Sequence, residues 1–263
     1  MPLGEIFLKQ AIILASFGAY DLNIRTRTID ALATDIKTKF PEIEIRQAYT
    51  SNFIRKKLST QSIEVLSLKE QIAVLRAEKF KRILVLPSHL TPGEEFDYKI
   101  KIFAASDVEI LPPLFTLNCD TDFEKLAFDT ILKCFKPFDD EHLVLIGHGS
   151  PHRHNPVYEN LQKLADSQNL QVTIGVIEKT DTPNFDDVLK RLEDKSVKNL
   201  LLAPMLFNGG VHVNEDIAGD NNSWKTQLIE HGFNVRVCTD GLGSFKEFRE
   251  LYIEKLVNLL SEV

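Results

Sequence analysis

Residues 82–96 read RILVLPSHLTPGEEF, and residues 199–213 read NLLLAPMLFNGGVHV. Each stretch is an apolar run that ends in proline and then passes through a glycine-bearing loop to the expected start of a helix. Apolar residues at successive positions are typical of a strand buried on both faces, as in a parallel sheet covered by helices. Two such stretches in one chain predict an α/β fold built from two similar halves.

The same alternation extends along the chain. The apolar runs that predict strands are residues 11–16, 43–49, 82–87, 108–111, 143–146, 172–176, 200–204 and 235–238. Helical periodicity between them predicts helices over residues 23–39, 67–78, 120–135, 158–166, 186–194, 223–231 and 246–261. Strands that alternate with helices form βαβ units with right-handed crossovers. We therefore predict two doubly wound α/β halves with parallel sheets, related by an internal pseudo-repeat.

The openings of the two halves support this repeat. The first half begins AIILASFGAYDLN and the second begins HLVLIGHGSPHRHN, which puts Phe17 and His148 at matching places. The polar, proline-bearing stretch KPFDDE lies between the two halves. It predicts an N-terminal half over residues 1–137 and a C-terminal half over residues 138–263, with a last helix that can pack back on the first half.

Composition and charge limit the class of protein. Of 263 residues, 43% are hydrophobic and 26% are charged, which is the balance of a globular protein with a sizeable core. The formal net charge of -7 argues against a nucleic-acid partner, whose phosphates need Lys and Arg contacts. An anionic small ligand remains compatible with this charge, because a local basic pocket can form in an acidic protein.

The sequence also predicts a cytoplasmic location. The three cysteines are far apart in the chain, which fits a reducing compartment better than a disulfide framework. The N-terminus lacks the basic start and the long apolar run of a signal peptide. No segment approaches the roughly 20 apolar residues that cross a bilayer, so no membrane association is expected. A homo-oligomeric state is left open.

Three residues are candidates for metal chemistry. His148 lies in GHGS directly after an apolar run, at the carboxyl end of an expected strand, where α/β proteins keep their ligand sites. His212 follows a glycine pair in the corresponding loop of the second half. Glu95 lies eight residues after Pro87 and His212 lies eight residues after Pro204, so the repeat makes them equivalent. Two imidazoles and a carboxylate suit a first-row divalent ion such as Co²⁺, Ni²⁺, Fe²⁺ or Zn²⁺.

The other histidines are interpreted differently. His89 follows an expected strand and is a candidate for lining a cleft. His152 and His154, in SPHRHN, could extend a metal site but favour a solvated loop, and their roles stay open. His142 and His231 are interpreted as structural. The chain has no GxxxxGK[ST], GxGxxG or HExxH motif, so we expect chemistry without a nucleotide.

The chain resembles a known family, the anaerobic cobalt chelatases of cobalamin biosynthesis. These are the larger, two-domain sirohydrochlorin cobaltochelatases, which belong to the class II chelatases. The resemblance extends nearly from end to end. Its motifs are LASFGA at residues 14–19, RQAYTSNFIRKKL at 46–58, HLTPGEEF at 89–96, GHGS at 147–150, GGVHVNEDIAGDNNSWK at 209–225 and DGLGS at 240–244.

The resemblance implies a ferrochelatase-like fold with a tetrapyrrole in the cleft between the halves. It also implies that His148, His212 and Glu95 hold the metal, with His148 and Glu95 taking part in catalysis. Further candidates for contacting the substrate are Ser16, His89 and Arg55, with Lys56 and Arg153 as possible partners of its carboxylates.

We therefore expect insertion of a divalent metal, Co²⁺ first, into a tetrapyrrole of the sirohydrochlorin or precorrin-2 type. Three other interpretations remain. The enzyme could load nickel or iron into sirohydrochlorin or a porphyrin, because ligand type does not decide between these metals. The chain could be a non-catalytic haem or metal carrier, or His148 could accept a phosphoryl group. The last chemistry would want an arginine beside the histidine, and none is adjacent to His148.

Overall fold

Two four-stranded parallel sheets organise residues 9–261, which are the part of the chain that the computed structural model describes. The first sheet has the order β2-β1-β3-β4, and the second has the order β6-β5-β7-β8. The predicted α/β class is thus confirmed. The N-terminal stretch in which a signal peptide was sought begins outside the described residues. The strands are β1 (Gln10–Ser16), β2 (Glu44–Tyr49), β3 (Arg82–Pro87), β4 (Val108–Ile110), β5 (Glu141–Gly147), β6 (Val172–Val176), β7 (Asn199–Pro204) and β8 (Asn234–Val237).

The internal repeat is present in the register of the strands. In the first sheet Ala15 of β1 lies opposite Pro87 of β3, and in the second sheet Ile146 of β5 lies opposite Pro204 of β7. The two central strand pairs therefore have the same alignment. Because both sheets also have the same strand order, loops at corresponding places in the two halves leave the sheets in the same way.

Ten α-helices lie between or after these strands within the described residues. None of the described helices is long and apolar enough to cross a membrane. The helices are α1 (Leu22–Arg27), α2 (Ile29–Lys39), α3 (Asn52–Ser59), α4 (Leu68–Ala77), α5 (Glu94–Lys99), α6 (Asp122–Cys134), α7 (Val157–Ser167), α8 (Phe185–Asp194), α9 (Trp224–Glu230) and α10 (Lys246–Ser261).

The helix predicted over residues 23–39 is divided in two at Thr28. The Thr28 hydroxyl donates to the carbonyl of Ile24 at 2.7 Å and lies 2.8 Å from Oδ1 of Asn208, in the second half. The Thr28 backbone has φ -115° and ψ -85°, outside the helical region. The division thus accompanies a long-range contact, which the helical periodicity of the segment does not encode.

One buried apolar cluster includes residues of both halves. It combines one face of each sheet with residues of α2, α6, α7 and α10, among them Ile12, Leu84, Leu145, Leu201, Ile36, Phe128, Leu161 and Phe248. The other face of each sheet packs in a separate cluster, one around α4 and one around α8 and α9. The two halves therefore share a core, so their relative placement is stabilised by the hydrophobic effect.

The last helix, α10, contacts residues of the first half through polar groups as well. Arg249 pairs with Asp35 of α2 at 2.6 Å, and the buried Tyr252 hydroxyl donates to the carbonyl of Ser88 at 3.0 Å. Lys255 donates to two backbone carbonyls of the loop after β4. The boundary at residues 137 and 138 stays a prediction.

Candidate metal centre

His148 and His212 lie together at the carboxyl edge of the second sheet. Their ring centroids are 4.7 Å apart and their planes are nearly perpendicular, at 88°. His148 directly follows β5, and His212 immediately precedes a π-helical turn, Val213–Ile217, in the segment after β7. Their side chains are 40% and 45% exposed, so both rings remain open to solvent. The structure thus brings together two imidazole side chains that are far apart in the sequence.

Close packing explains the glycines on both sides of His148. A Cβ at Gly147 would lie 2.2 Å from the ring of Tyr158, and one at Gly149 would lie 2.9 Å from Cβ of Val176. Gly149 also has φ +79°, a conformation that L side chains rarely adopt. The two glycines let the chain pass close to neighbouring side chains at the end of β5 and turn sharply there. His148 lies between the two glycines in the chain.

The loop that carries His212 is held by backbone packing. A Cβ at Gly209 would lie 2.4 Å from the carbonyl oxygen of Thr239 and 2.8 Å from the amide nitrogen of Gly241, so Gly209 fits directly against the DGLGS loop. After His212, Val213 and Ile217 are fully buried and anchor the π-helical turn. Single π-helical turns are rare in proteins, and those that occur are frequently found at functional sites.

Each histidine has a carboxylate on its Nδ1 side. Nδ1 of His212 lies 2.8 Å from Oδ2 of Asp216, and Nδ1 of His148 lies 3.9 Å from Oε1 of Glu178. Nδ1 of His148 is also 3.2 Å from the carbonyl of Gly149. A carboxylate or carbonyl at one ring nitrogen keeps the hydrogen there and leaves the other nitrogen free to ligate. In both histidines, Nε2 is therefore the ring nitrogen that is available to bind a metal ion.

Sequence reasoning missed both carboxylates. Asp216 is four residues after His212, and this spacing on a helical turn places two side chains on the same face. That signal could have found Asp216. Glu178 follows β6, the neighbour of β5, so its approach to His148 depends on strand pairing. Only the parallel register decides that contact.

Glu95 makes other contacts. It lies in the first turn of α5, where Oε2 accepts from the Thr50 hydroxyl at 2.9 Å and Oε1 pairs with Lys99. Thr50 belongs to the TSNF motif after β2, so this motif supports the position of Glu95. Across residues 9–261, no group of three or more His, Cys, Asp or Glu side chains is arranged to hold a metal ion. The metal role of Glu95 stays a prediction.

Two asparagine side chains join the loops of the two halves beside this site. Asn155 donates through Nδ2 to Oγ1 of Thr91 at 3.1 Å and to the carbonyl of Pro92 at 2.9 Å. Asn208 donates to the carbonyl of Gly18 at 3.3 Å. The segment before Glu95 is thereby tied to the segment after His148.

The predicted substrate-binding residues differ in their surroundings. Both ring nitrogens of His89 and the hydroxyl of Ser16 are buried, and none of them has a hydrogen-bond partner in the described part of the chain. Burial lowers the pKa of His89 to about 4, so its ring is neutral near pH 7. Arg55 of α3 is already bound to Asn52 and Glu70. Unpaired buried polar groups are costly, which marks His89 and Ser16 as candidates for contacting a ligand.

His142 lies at the opposite end of β5 from His148. Its Nε2 is 2.8 Å from the hydroxyl of the buried Thr173. A surface depression of about 440 Å³ adjoins it and is lined by Asp166, Arg191 and Lys195, among other residues. This depression lies at the amino end of the second sheet and is separate from the candidate metal centre.

His142 is expected to make the protein sensitive to acid. Burial, followed by the charges of Lys195 and Arg191, lowers the pKa of His142 from 6.5 to about 4. A histidine whose pKa is lowered by folding contributes stability above pH 6.5 and loses it as the pH falls towards 4. At about 1.4 kcal/mol per pKa unit, a shift of this size corresponds to about 3–4 kcal/mol. Denaturant unfolding at pH 7 and pH 4.5 should therefore show a smaller acid loss in His142→Asn than in the wild type.

The matched control for this measurement is His231→Asn, because His231 is exposed at the end of α9. This variant should lose as much stability between pH 7 and pH 4.5 as the wild type does. If His142→Asn also lost as much as the wild type, His142 would not be the source of the acid sensitivity.

With this geometry in place, comparison with known proteins identifies the family. The family model for cobalt chelatase (CbiK) matches residues 10–261. The chain belongs to this family. Two curated relatives are similar over almost their whole length. The sirohydrochlorin cobaltochelatase of Salmonella typhimurium strain LT2 is 24% identical, with 97% of each chain covered. The sirohydrochlorin cobaltochelatase CbiKC of Nitratidesulfovibrio vulgaris is 26% identical, covering 96% of this chain and 91% of the relative.

A solved structure supports the fold. SirB from Bacillus subtilis with Fe³⁺ superimposes with a TM-score of 0.60 at 14% identity, covering 95% of each chain. At this identity the similarity concerns the fold alone. The chelatase-like α/β fold predicted for this family member is thus confirmed.

Proposed function

We propose that this protein inserts Co²⁺ into sirohydrochlorin in cobalamin biosynthesis, without a nucleotide. The observation that carries the proposal is the convergence of His148 and His212, 4.7 Å apart, in a chain of the cobalt chelatase family. The names of both curated relatives support the substrate. The metal is a substrate of this reaction and leaves with the product.

The two histidines hold the incoming ion. Nε2 of each ring is free for the metal, because the Nδ1 sides face Asp216 and the Gly149 carbonyl. Two protein nitrogens leave several coordination positions open, which the ring nitrogens of the tetrapyrrole occupy in turn. The nearby carboxylates of Glu178 and Asp216 offset the charge of the ion.

The reaction also has to move protons. Insertion exchanges two pyrrole N–H protons for one divalent ion, so the overall charge balances. We assign the role of proton acceptor to His212, because the carboxylate of Asp216 lies 2.8 Å from its Nδ1 whereas that of Glu178 lies 3.9 Å from Nδ1 of His148. Because Nε2 is its one unprotonated nitrogen, His212 accepts a pyrrole proton there as it releases the ion to the macrocycle, and the second proton passes to water.

Two carboxylates compete for the role of third metal ligand. Glu178 lies 3.9 Å from Nδ1 of His148, whereas the ion is held at Nε2, so Glu178 faces the side of the ring away from the ion. Glu95 has to leave Lys99 and Thr50 before it can ligate. We therefore favour Glu95 as the third ligand, with Glu178 orienting the ring of His148.

The test is an anaerobic insertion assay. The purified protein is mixed with sirohydrochlorin and limiting Co²⁺, and the visible spectrum is followed against a control without enzyme. Parallel runs with Ni²⁺ and Fe²⁺ rank the metals. The Glu178→Gln and Glu95→Gln variants are both expected to be slower than the wild type by about 10–100-fold, the range for losing a group that supports a metal site.

No acceleration with any of the metals, together with tight tetrapyrrole binding, would overturn the proposal in favour of a non-catalytic carrier. Insertion faster with Ni²⁺ or Fe²⁺ than with Co²⁺ would overturn the choice of metal alone. The cytoplasmic location and the oligomeric state stay predictions, and size-exclusion chromatography with light scattering measures the latter.

A further inference from the structure

His154 forms a second histidine–carboxylate arrangement on the loop that begins with His148. Its Nδ1 lies 2.7 Å from Oδ1 of Asp181, whose side chain is completely buried. Its Nε2 lies 3.6 Å from Oε2 of Glu159, in the first turn of α7. The side chains of His154 and Glu159 are 47% and 41% exposed. A nitrogen and an oxygen thus face each other at the surface, outside the His148–His212 pair.

The separation of these two atoms fits a shared metal ion. First-row ions are bound at about 2.0–2.1 Å by imidazole nitrogen and about 2.0–2.2 Å by carboxylate oxygen. Donor atoms 3.6 Å apart then subtend about 120° at the ion, close to the angles of a tetrahedral site. Water would complete the coordination, since the described residues offer no third side-chain ligand there.

Both side chains are held in place by neighbouring groups. Asp181 also accepts from the backbone amides of Ser150 at 2.9 Å and Thr182 at 2.9 Å, so its position is fixed by the loop itself. The carboxylate at Nδ1 keeps the hydrogen of His154 on that nitrogen and leaves Nε2 as a ligand. The Thr182 hydroxyl donates to Oε1 of Glu159 at 3.0 Å, which leaves Oε2 free.

We infer that His154 and Glu159 form a second binding site for a divalent transition-metal ion, supported by Asp181 and Thr182. An imidazole with a carboxylate suits Co²⁺, Ni²⁺ or Zn²⁺ better than Mg²⁺ or Ca²⁺, which prefer oxygen ligands. The site lies six residues along the chain from His148. The inference concerns metal binding by the protein alone and does not depend on the proposed insertion reaction.

Equilibrium dialysis of the full chain against Co²⁺, without tetrapyrrole, tests the inference. The wild type is expected to bind two ions per chain. His154→Ala and Glu159→Gln are each expected to bind one, and so is the double variant His148→Ala, His212→Ala, which retains the second site. The matched control, His231→Ala, removes an exposed histidine elsewhere and should still bind two ions. Circular dichroism checks that each variant is folded.

Glu159→Gln keeps the shape of its side chain at the surface, so it separates loss of a ligand from loss of folding. The inference is overturned if both His154→Ala and Glu159→Gln bind as many Co²⁺ ions as the wild type, which would leave only a surface ion pair. It is also overturned if the double variant binds none. Failure of the insertion assay with two bound ions would instead count against the proposed function alone.

Discussion

Replacing His148 or His212 by alanine is expected to lower the rate of cobalt insertion by more than about 100-fold. Groups that merely support a metal ligand contribute about 10–100-fold, and these two side chains are the proposed ligands themselves. The folded state should change little, because both rings are 40% or more exposed and neither belongs to the buried core. Surface changes of this kind usually alter stability by less than about 0.5 kcal/mol.

The measurement is the anaerobic assay under identical conditions, combined with a thermal unfolding curve for each variant. His231→Ala provides the control, as an exposed histidine that lies outside the metal centre. Normal turnover in either His148→Ala or His212→Ala would show that the converging pair is not the insertion site. A large drop in the unfolding temperature would assign the effect to folding instead.

Phe248→Ala is expected to destabilise the whole molecule by about 3–5 kcal/mol, the usual cost of removing a buried aromatic side chain. Phe248 lies in α10, is fully buried, and packs against Tyr252 with ring centroids 5.7 Å apart. It belongs to the cluster that includes both sheets. Because this core is shared, both halves should lose stability together.

Urea unfolding followed at two probes tests this expectation. Trp224 reports on the second half by fluorescence, and a label attached to an introduced cysteine at Ile102 reports on the first, since Ile102 is 62% exposed. The two midpoints should shift equally. Phe53→Ala makes the same change at a position 66% exposed and should shift the midpoints little. A shift confined to the second half would mean that the halves unfold independently.

Much of the fold could be predicted from runs of apolar residues. The strands β3 and β6 have the bounds expected from residues 82–87 and 172–176, and α10 has those expected from residues 246–261. The physical reason is that a strand covered on both faces needs apolar side chains at every position, which leaves a local signal. The 3.6-residue periodicity of a helix that covers a sheet is just as local.

Local signals failed where a distant residue decides the conformation. The break between α1 and α2 accompanies the contact of Thr28 with Asn208. The helix α3 was also not predicted, although its Ser51 cap is a local signal. The carboxylates of Glu178 and Asp181 lie near their histidines only because β6 pairs with β5 and the loop after β6 folds back. Neither spacing nor composition carries this information.

By itself, the sequence determined the α/β class, the duplication and the candidate histidines His148 and His212. These features follow from local rules, because the repeat of strand, glycine loop and helix is written in consecutive residues. The tertiary structure alone decided that the two rings meet, that Glu178 lies beside His148, and that His154 faces Glu159. Such contacts depend on strand register and on loop packing, in which residues far apart in the chain exclude water and fix one another's side chains.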